Sequence, residues 1–215
     1  MNIAIFGASG AIGILLVKRF LENGDSVYAY IRNPDKINIQ HPNLHLIQGE
    51  LSDEPKITKA VASADIIIST LGPALSGKRN DKTTPIADGH KLILSAMEKH
   101  KKSRLITLAT PSLKSDNDPK CFLLKIIPIM ARILFPWAYR DMVKLGELIN
   151  GSKLDWTVIR IINPNVKTSG KGYATSIGNE SFKMGVSREN IADIFYDIAK
   201  ANTFIQEMPI VFNKY

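Results

Sequence analysis

Asn2-Ile-Ala-Ile-Phe-Gly-Ala-Ser-Gly-Ala-Ile-Gly13 places a short apolar run directly before three glycines at a Gly-x-x-Gly-x-x-Gly spacing. The run from Asn2 to Phe6 has the length and composition of a buried strand. After the glycines, apolar residues recur at helical spacing as far as Phe20, and Asn23-Gly24 marks the end of that helix. The segment therefore predicts a strand, a tight glycine turn and a helix, in that order.

A glycine turn between a strand and a helix is the setting that a dinucleotide-binding loop requires. The first glycine permits the turn, the second lets the backbone approach a pyrophosphate, and the third lets helix and strand pack closely. The positive end of the helix dipole then favours an anion. The alternative is a glycine turn that binds another ligand or none. The loop residues predicted to bind a dinucleotide are Gly7, Ser9, Gly10, Ala11, Ile12 and Gly13.

The rest of the chain alternates short apolar runs with segments of helical periodicity. This alternation predicts an α/β fold, a Rossmann-like doubly wound parallel sheet with helices on both faces and a small C-terminal cap on the substrate side. The predicted strands cover residues 2–6, 26–31, 44–48, 65–70, 105–109 and 156–161, with 204–212 as a further candidate. The predicted helices after the first cover residues 54–62, 85–101, 140–150 and 188–200, and Thr84-Pro85 predicts a cap followed by a first-turn proline.

Length and composition fit a single domain over residues 1–215, with 45% apolar and 22% charged residues, which excludes disordered and collagen-like classes. The single cysteine, Cys121, excludes an internal disulfide, and no Cys/His cluster has zinc spacing, so no metal site is predicted. The net charge is +8, and its densest run, residues 99–104, ends a predicted helix without stacking aromatics. Nucleic acid is therefore not an expected partner.

The most apolar segment is residues 121–137, which two prolines and two cations interrupt. It is too short and broken for a bilayer span, and its periodicity predicts a bent helical cap instead. The amino terminus has no basic leader before its apolar run, so we expect a cytoplasmic protein.

Further stretches share their order and spacing with one superfamily. Read to its end, the chain resembles the short-chain dehydrogenases/reductases, and more narrowly the atypical, NmrA-like NAD(P)H-binding group, which includes flavin and biliverdin reductases. The resemblance implies a Rossmann fold and an NAD(P)H-dependent oxidoreductase. The stretches that carry it, besides the glycine loop, are Ile31-Arg-Asn-Pro-Asp-Lys36, Gln48-Gly-Glu-Leu51, Ser69-Thr-Leu-Gly-Pro73, Leu154-Asp-Trp-Thr-Val-Ile-Arg160 and Val186-Ser-Arg-Glu-Asn-Ile-Ala-Asp193.

The end of the second predicted strand distinguishes the two nicotinamide cofactors. An acidic side chain there would bind the adenosine ribose of NAD, but this chain has Arg32. An arginine can stack on adenine and pair with a 2′-phosphate, and Lys36 is close enough to help. The pattern therefore favours NADP(H) over NAD(H), with a solvated basic turn as the alternative.

The resemblance implies contacts for the rest of the nucleotide. Glu50 and Leu51 would flank the adenine, and Leu71 and Gly72 would line the ribose and phosphate on the nicotinamide side. Most relatives carry Asp where this chain has Glu50.

Reductases with the full short-chain pattern use Tyr-x-x-x-Lys on one helix, and this chain lacks it. Lys144 looks like the family's lysine, with Arg140 in place of the tyrosine; it would touch the nicotinamide ribose or lie on the helix surface. Thr110 stands where relatives place a hydroxyl beside the nicotinamide, with capping of nearby backbone as the alternative. Asn163 stands where relatives face the cofactor ring, and its amide can orient a ligand but cannot act as a general acid.

Residues 111–140 and 163–186 are predicted as insertions on the substrate side. In relatives the segment that corresponds to the first lies over the active-site crevice, so the resemblance implies that Met130, Phe135, Trp137 and Tyr139 wall a pocket for a flat, apolar substrate. A dimer face and a membrane-surface contact through the segment's two cations are the alternatives. In the second, residues 167–177 are predicted to form a mobile loop at the edge of the same crevice.

These patterns together predict an NADPH-dependent reductase that passes hydride to a small flat acceptor, such as a flavin, a quinone or a carbonyl compound. The competing hypothesis is a non-catalytic NADP(H)-sensing regulator, as some NmrA-like proteins are. The missing tyrosine and lysine pair disfavours a nucleotide-sugar epimerase. The expected partners are a small-molecule substrate and a second copy of the chain as a homodimer, whereas a membrane is not an expected partner.

Overall fold

The computed structural model describes residues 1–73, 81–118, 122–178 and 183–214. Within these residues the chain forms eight strands and six α-helices. The strands are β1 (Asn2–Phe6), β2 (Ser26–Ile31), β3 (Leu44–Gln48), β4 (Ile66–Ser69), β5 (Arg104–Ala109), β6 (Asp155–Ile161), β7 (Tyr173–Ser176) and β8 (Ile210–Asn213). The helices are α1 (Ala11–Glu22), α2 (Glu54–Ala62), α3 (Pro85–Lys99), α4 (Phe122–Leu134), α5 (Pro136–Asn150) and α6 (Arg188–Ala201).

The strands form one sheet in the order β3-β2-β1-β4-β5-β6-β8-β7. Every pairing is parallel except that of β7 with β8. The chain runs outward from β1 to β3, returns to place β4 beside β1, and then runs outward on the other side. Open α/β sheets bind ligands outside the carboxyl ends of the strands where this reversal occurs. The predicted Rossmann-like, doubly wound sheet is confirmed.

Helices cover both faces of the sheet because alternate residues of a strand point to opposite sides. In β1, Ile3 and Ile5 belong to one buried cluster, and Ala4 and Phe6 belong to the other. The first cluster joins α1 and α6 to the sheet, and the second joins α2, α3 and α5 to it. The layers fix the position of the glycine turn, because α1 is anchored along its length by Leu16, Val17 and Phe20.

The C-terminal part differs from the prediction. The expected final strand shrinks to β8, because Phe204 and Gln206 both take a left-handed backbone with φ of 56°. The segment expected as a mobile loop contains β7. The amide of Asn190 donates hydrogen bonds to the carbonyls of Ser169 (2.7 Å) and Gly172 (2.9 Å), which fastens the turn before β7 to helix α6.

The apolar segment after residue 121 forms helix α4 and the start of helix α5, with a break between them where a bent helical cap is predicted. Helix α4 contains Pro128, and the helical path breaks at Phe135, whose φ is −134° and ψ is 60°. Helix α5 begins at Pro136, earlier than the expected residue 140, because proline suits a first helical turn, where an N–H would have no partner. Cys121 lies outside the described residues. In the described part of the chain, no helix is both long and apolar enough to cross a bilayer.

Candidate functional site

The backbone carbonyl of Gly7 organises the glycine turn. Gly7 follows β1 with a φ of +82°, a left-handed conformation that favours glycine, and a Cβ there would lie 2.9 Å from the Thr70 hydroxyl. The Gly7 carbonyl accepts hydrogen bonds from the Gly10 N–H (2.9 Å) and the Thr70 hydroxyl (3.1 Å). A Cβ at Gly13 would collide with the same carbonyl. Helix α1 therefore approaches β1 as closely as it does only because residue 13 is glycine.

The amino end of α1 has no capping side chain and no acidic residue nearby in the helix. Gly10 occupies the N-cap position. Among the described residues, nothing accepts a hydrogen bond from the N–H groups of Ala11, Ile12 or Gly13. These donors point along a helix dipole whose positive end is here, so a pyrophosphate fits the turn.

Two unpaired cations stand at the next loop. Arg32 and Lys36 are exposed after β2, and the ion pairs of the described residues include neither of them. A short 3-10 turn orders the backbone between them, because the Asn33 side chain accepts a hydrogen bond from the Asp35 N–H at 3.0 Å. The loop therefore presents two positive charges that form no ion pair within the described residues, although the exposed Asp35 lies between them in the sequence.

Glu50 and Leu51 follow β3, and the tyrosine of the neighbouring strand shapes their backbone. The Tyr30 hydroxyl donates a hydrogen bond to the Glu50 carbonyl at 2.7 Å, and a Cβ at Gly49 would collide with it. Burial, followed by the charges of Asp53 and Glu50, raises the pKa of Tyr30 to about 12. The Glu50 side chain is exposed, and Leu51 packs against Gly89 of α3.

Leu71 and Gly72 follow β4 beside the glycine turn. A Cβ at Gly7 would lie 3.2 Å from the Leu71 backbone nitrogen, so the two loops are in direct contact. A Cβ at Gly72 would meet no atom of the described residues within 4 Å.

A cavity of about 270 Å³ opens at the ends of β5 and β6, between the sheet and helices α4 and α5. Met130, Phe135 and Tyr139 line it, as the family resemblance implies. Trp137 is not among its lining residues, and its ring meets that of Phe135 edge-on at 5.9 Å. The other lining residues are Pro73, Thr110, Pro111, Ser112, Ile127, Ala131, Leu134, Ala138, Met142, Ile161, Ile162 and Asn163.

The polar groups of the cavity are hydroxyls and one amide. Thr110 and Asn163 both line it, from the ends of neighbouring strands. The Thr110 hydroxyl also accepts a long hydrogen bond of 3.4 Å from the Ser112 N–H. None of the described lining residues is a His, Lys, Arg, Asp or Glu. Tyr139 adds a third hydroxyl to those of Thr110 and Ser112. A search for Tyr-x-x-x-Lys does not find Tyr139, because it precedes Lys144 by five residues instead of four.

Lys144 lies apart from these residues. Its ammonium group donates hydrogen bonds to the Asp88 carboxylate (2.7 Å) and the Thr84 hydroxyl (2.8 Å), which ties α5 to α3. The hydrogen bond from Lys144 to Asp88 is the largest cause of the lowered pKa of Asp88. The cavity lining does not include Lys144.

The cap of α3 comes from a residue that the sequence does not indicate. The Asp141 carboxylate, buried on α5, accepts hydrogen bonds from the N–H groups of Ile86 (3.1 Å) and Ala87 (2.8 Å). Burial raises the pKa of Asp141 despite these bonds. Thr84 precedes the helix as expected, but its side chain does not cap it, because its hydroxyl faces Asp88 and Lys144 instead.

Arg160 positions the segment that follows β5. Its buried guanidinium group binds both carboxylate oxygens of Asp118, at 2.6 and 2.9 Å, and donates to the carbonyls of Leu113 and Met208. These hydrogen bonds from Arg160, on β6, hold the residues after Thr110 and the chain just before β8 in place. Arg160 is therefore a structural tie behind the cavity, and Asn163 is the part of the same strand end that faces it.

The described residues contain no group of three His, Cys, Asp or Glu side chains arranged for a metal ion. His90 is fully buried between Ile86 (2.8 Å from its carbonyl) and the Thr107 hydroxyl (3.3 Å), and burial lowers its pKa to about 4. It bridges α3 and β5 as a neutral core residue.

A doubly wound sheet, a glycine turn at the point of strand reversal and an apolar cavity that opens at the ends of β5 and β6 are typical of a Rossmann-type nucleotide-binding protein. The chain belongs to the NAD(P)H-binding family, whose match extends over residues 7–202.

Solved structures share this fold across nearly the whole chain. A short-chain dehydrogenase/reductase from Veillonella parvula in complex with NADP is 19% identical, with a TM-score of 0.78 over 99% of this chain and 94% of that one. ChuY, an anaerobilin reductase from Escherichia coli O157:H7, is also 19% identical, with a TM-score of 0.78 over 99% of this chain and 97% of that one. A probable pinoresinol-lariciresinol reductase of Arabidopsis thaliana is 33% identical over 74 residues, which are 33% of this chain and 24% of the plant protein. The match thus spans about a quarter of that relative's length.

Proposed function

We propose that the protein is an NADPH-dependent reductase that passes hydride to a small, flat, apolar acceptor such as a flavin, a quinone or a carbonyl compound. The observation that carries the proposal is the apolar cavity at the ends of β5 and β6, next to the glycine turn on β1. The names of two relatives, an anaerobilin reductase and a lariciresinol reductase, support the same class of reaction. The bound nucleotide would supply the hydride.

The turn and the neighbouring loops would hold the nucleotide in an extended path along the strand ends. The free N–H groups at the start of α1, together with Gly7, Ser9 and Gly10, would hold the pyrophosphate. Arg32 and Lys36 would bind the 2′-phosphate, which favours NADP(H) over NAD(H). Glu50 and Leu51 would flank the adenine, and Leu71 and Gly72 would line the nicotinamide side.

Within the cavity, the chain's own groups would orient the acceptor. Thr110 and Asn163 would hydrogen bond a carbonyl or ring nitrogen of the acceptor and hold it against the nicotinamide. The described lining residues include no His, Lys, Arg, Asp or Glu, so water would supply any proton that the acceptor needs. Residues 111–140 and 163–186 would then form the substrate side of a single domain over residues 1–215.

Lys144 is the weakest of the catalytic candidates. To reach a nicotinamide ribose, its ammonium group would have to leave Asp88 and Thr84. We propose it as a tie between α3 and α5 whose loss affects stability before activity.

The test begins with thermal stability during titration with NADPH and with NADH, because a ligand that binds the folded state raises the melting temperature. NADPH oxidation is then followed with FMN and with menadione as acceptors. Ala131→Leu fills the cavity, and Ala62→Leu, on an exposed part of α2, is the matched control. We expect the first variant alone to lower kcat/KM for the acceptor, with the Kd of NADPH unchanged.

The described lining residues include no His, Lys, Arg, Asp or Glu, which also favours a second function, a regulator that senses NADP(H). Such a protein binds both redox forms without turnover. Binding of NADPH without oxidation by any of these acceptors would support the regulator and contradict the reductase.

A further inference from the structure

The outward side of helix α4 is apolar. Phe122, Ile129 and Ile133 are 77%, 58% and 53% exposed, and spacings of seven and four residues place them on one side of the helix. Met130 and Leu134, 48% and 54% exposed, extend this side. We call these five residues the α4 face. Single exposed apolar residues are common in proteins, whereas a contiguous stripe marks a contact surface.

Two cations flank the α4 face. Lys125 and Arg132 are exposed and seven residues apart, so they share one side of the helix. Helix α4 contains no Asp or Glu, and neither cation belongs to an ion pair among the described residues. The surface that covers the α4 face therefore meets two positive charges that pair with no acidic side chain of the described residues.

A second copy of the chain fits this charge pattern poorly. A symmetric dimer buries the same patch of both subunits, which would gather the four cations of the two copies in one interface. Each copy also carries a net charge of +8. An anionic lipid surface offers the opposite charge, and an apolar helix face flanked by Lys and Arg is typical of helices that lie in a membrane interface.

We propose that α4 lies on an anionic lipid surface, with the α4 face among the acyl chains and Lys125 and Arg132 at the lipid phosphates. Ile177, 43% exposed, lies near the chain that leads into α4. Its neighbour Gly178 lies against the carbonyl of Asn117, five residues before the helix begins.

The lipid contact also gives the cavity a source of acceptor. Met130 and Leu134 line the cavity and are about half exposed, so the apolar surface continues from the outside of α4 into the cavity. An apolar acceptor dissolved in the bilayer, such as a long-chain quinone, reaches the cavity along this path without crossing water. This step rests on the reductase function proposed above.

Vesicle sedimentation tests the lipid contact with the full chain. The vesicles contain phosphatidylcholine alone or phosphatidylcholine mixed with phosphatidylglycerol. We expect binding to the mixed vesicles that weakens as salt is added. A basic residue near an anionic surface is worth about 1 kcal/mol, so Lys125→Gln with Arg132→Gln should weaken binding about 30-fold. The control, Lys18→Gln with Lys59→Gln, removes the same charge from exposed sites on α1 and α2.

A second pair of variants tests the apolar part of the contact. Ile129→Gln with Ile133→Gln should abolish sedimentation with vesicles, whereas Leu46→Gln, at an exposed apolar residue of β3, should leave it unchanged. Failure of the wild type to bind mixed vesicles, or equal binding by the α4 variants and their controls, would overturn the proposal. A dimer in light scattering that only the Ile129→Gln and Ile133→Gln variant loses, without vesicle binding, would assign the face to a second copy instead.

Turnover separates this inference from the proposed function. We expect the α4 variants to oxidise NADPH as the wild type does with menadione, a small quinone without a long tail that is added in the absence of vesicles. We expect them to lose turnover of a long-chain quinone held in mixed vesicles. Turnover of menadione without vesicle binding would overturn the lipid contact and leave the reductase intact. Vesicle binding with no turnover of either quinone would overturn the reductase and the acceptor route, and would leave the lipid contact of α4 supported.

Discussion

The choice between NADPH and NADH depends on Arg32, and replacing it by alanine tests that dependence directly. Arg32 is exposed and has no ion pair among the described residues, so the variant breaks no protein contact and should keep its melting temperature. Exposed ion pairs contribute about 0.2–1 kcal/mol, and hydrogen bonds to charged groups about 1.5–3 kcal/mol. An exposed arginine that forms a two-pronged contact with a phosphate lies between these ranges, at about 1.4 kcal/mol, or tenfold in Kd.

The assay is calorimetric titration of the wild type, Arg32→Ala and the control Lys59→Ala with each nucleotide. We expect Arg32→Ala to weaken NADPH about tenfold and NADH less than twofold, because only NADPH carries the 2′-phosphate. The control should change neither affinity. Equal loss for both nucleotides would refute the 2′-phosphate contact and leave adenine stacking as the role of Arg32.

Four further changes test the site and the core. Gly13→Ala should abolish NADPH binding and lower the melting temperature, because its Cβ collides with the Gly7 carbonyl; retained affinity would contradict the close approach of α1. Thr110→Val should lower kcat for acceptor reduction about tenfold with an unchanged Kd for NADPH, and equal kcat in stopped-flow assays would exclude the hydroxyl from the reaction. Lys144→Met should lower the free energy of unfolding by about 0.5 kcal/mol, as for other exposed ion pairs. The pKa of Asp88 is lowered in the folded chain, so the ion pair stabilises the fold only while Asp88 is ionised. The difference between variant and wild type should therefore vanish in acid, where Asp88 is protonated. A tenfold loss of NADPH affinity would instead place Lys144 at the ribose. Burial lowers the pKa of His90 from 6.5 to about 4, so His90 stays neutral in the folded chain at a pH where the unfolded chain takes up a proton. The contribution of His90 to the free energy of unfolding is therefore complete above about pH 6.5, and it declines by up to about 3 kcal/mol as the pH falls to about 4. Urea unfolding across that range should show a flatter pH dependence for His90→Gln, and an identical slope would contradict this account.

The fold was predictable because its signals are local. The apolar run before Gly7, the glycine spacing and the periodicity around Leu16 and Phe20 each lie within a few residues, and the structure confirms the strand, turn and helix that they predict. Strand β7 was missed because its four residues, Tyr173–Ser176, have too short a pattern to distinguish a strand from a loop.

The interactions around the cavity were less predictable because they join distant parts of the chain. Asp141 caps a helix that begins 56 residues earlier, at Pro85, and nothing near Asp141 in the sequence indicates that role. Arg160 finds Asp118 across 42 residues. The contacts of Lys144 with Asp88 and Thr84 likewise depend on how α5 packs on α3. The nucleotide-binding and catalytic roles given to the site residues remain predictions.

The Gly7 carbonyl has a consequence for how this sequence can change over time. One oxygen receives the N–H of Gly10 and the hydroxyl of Thr70, and it also excludes a side chain at position 13. Substitutions at these positions are therefore interdependent, and a drift at one of them is tolerated only with a compensating change at another. Thr70, 63 residues away from the turn, should be inherited together with the glycines and makes a useful fourth position when distant sequences are searched for the same turn.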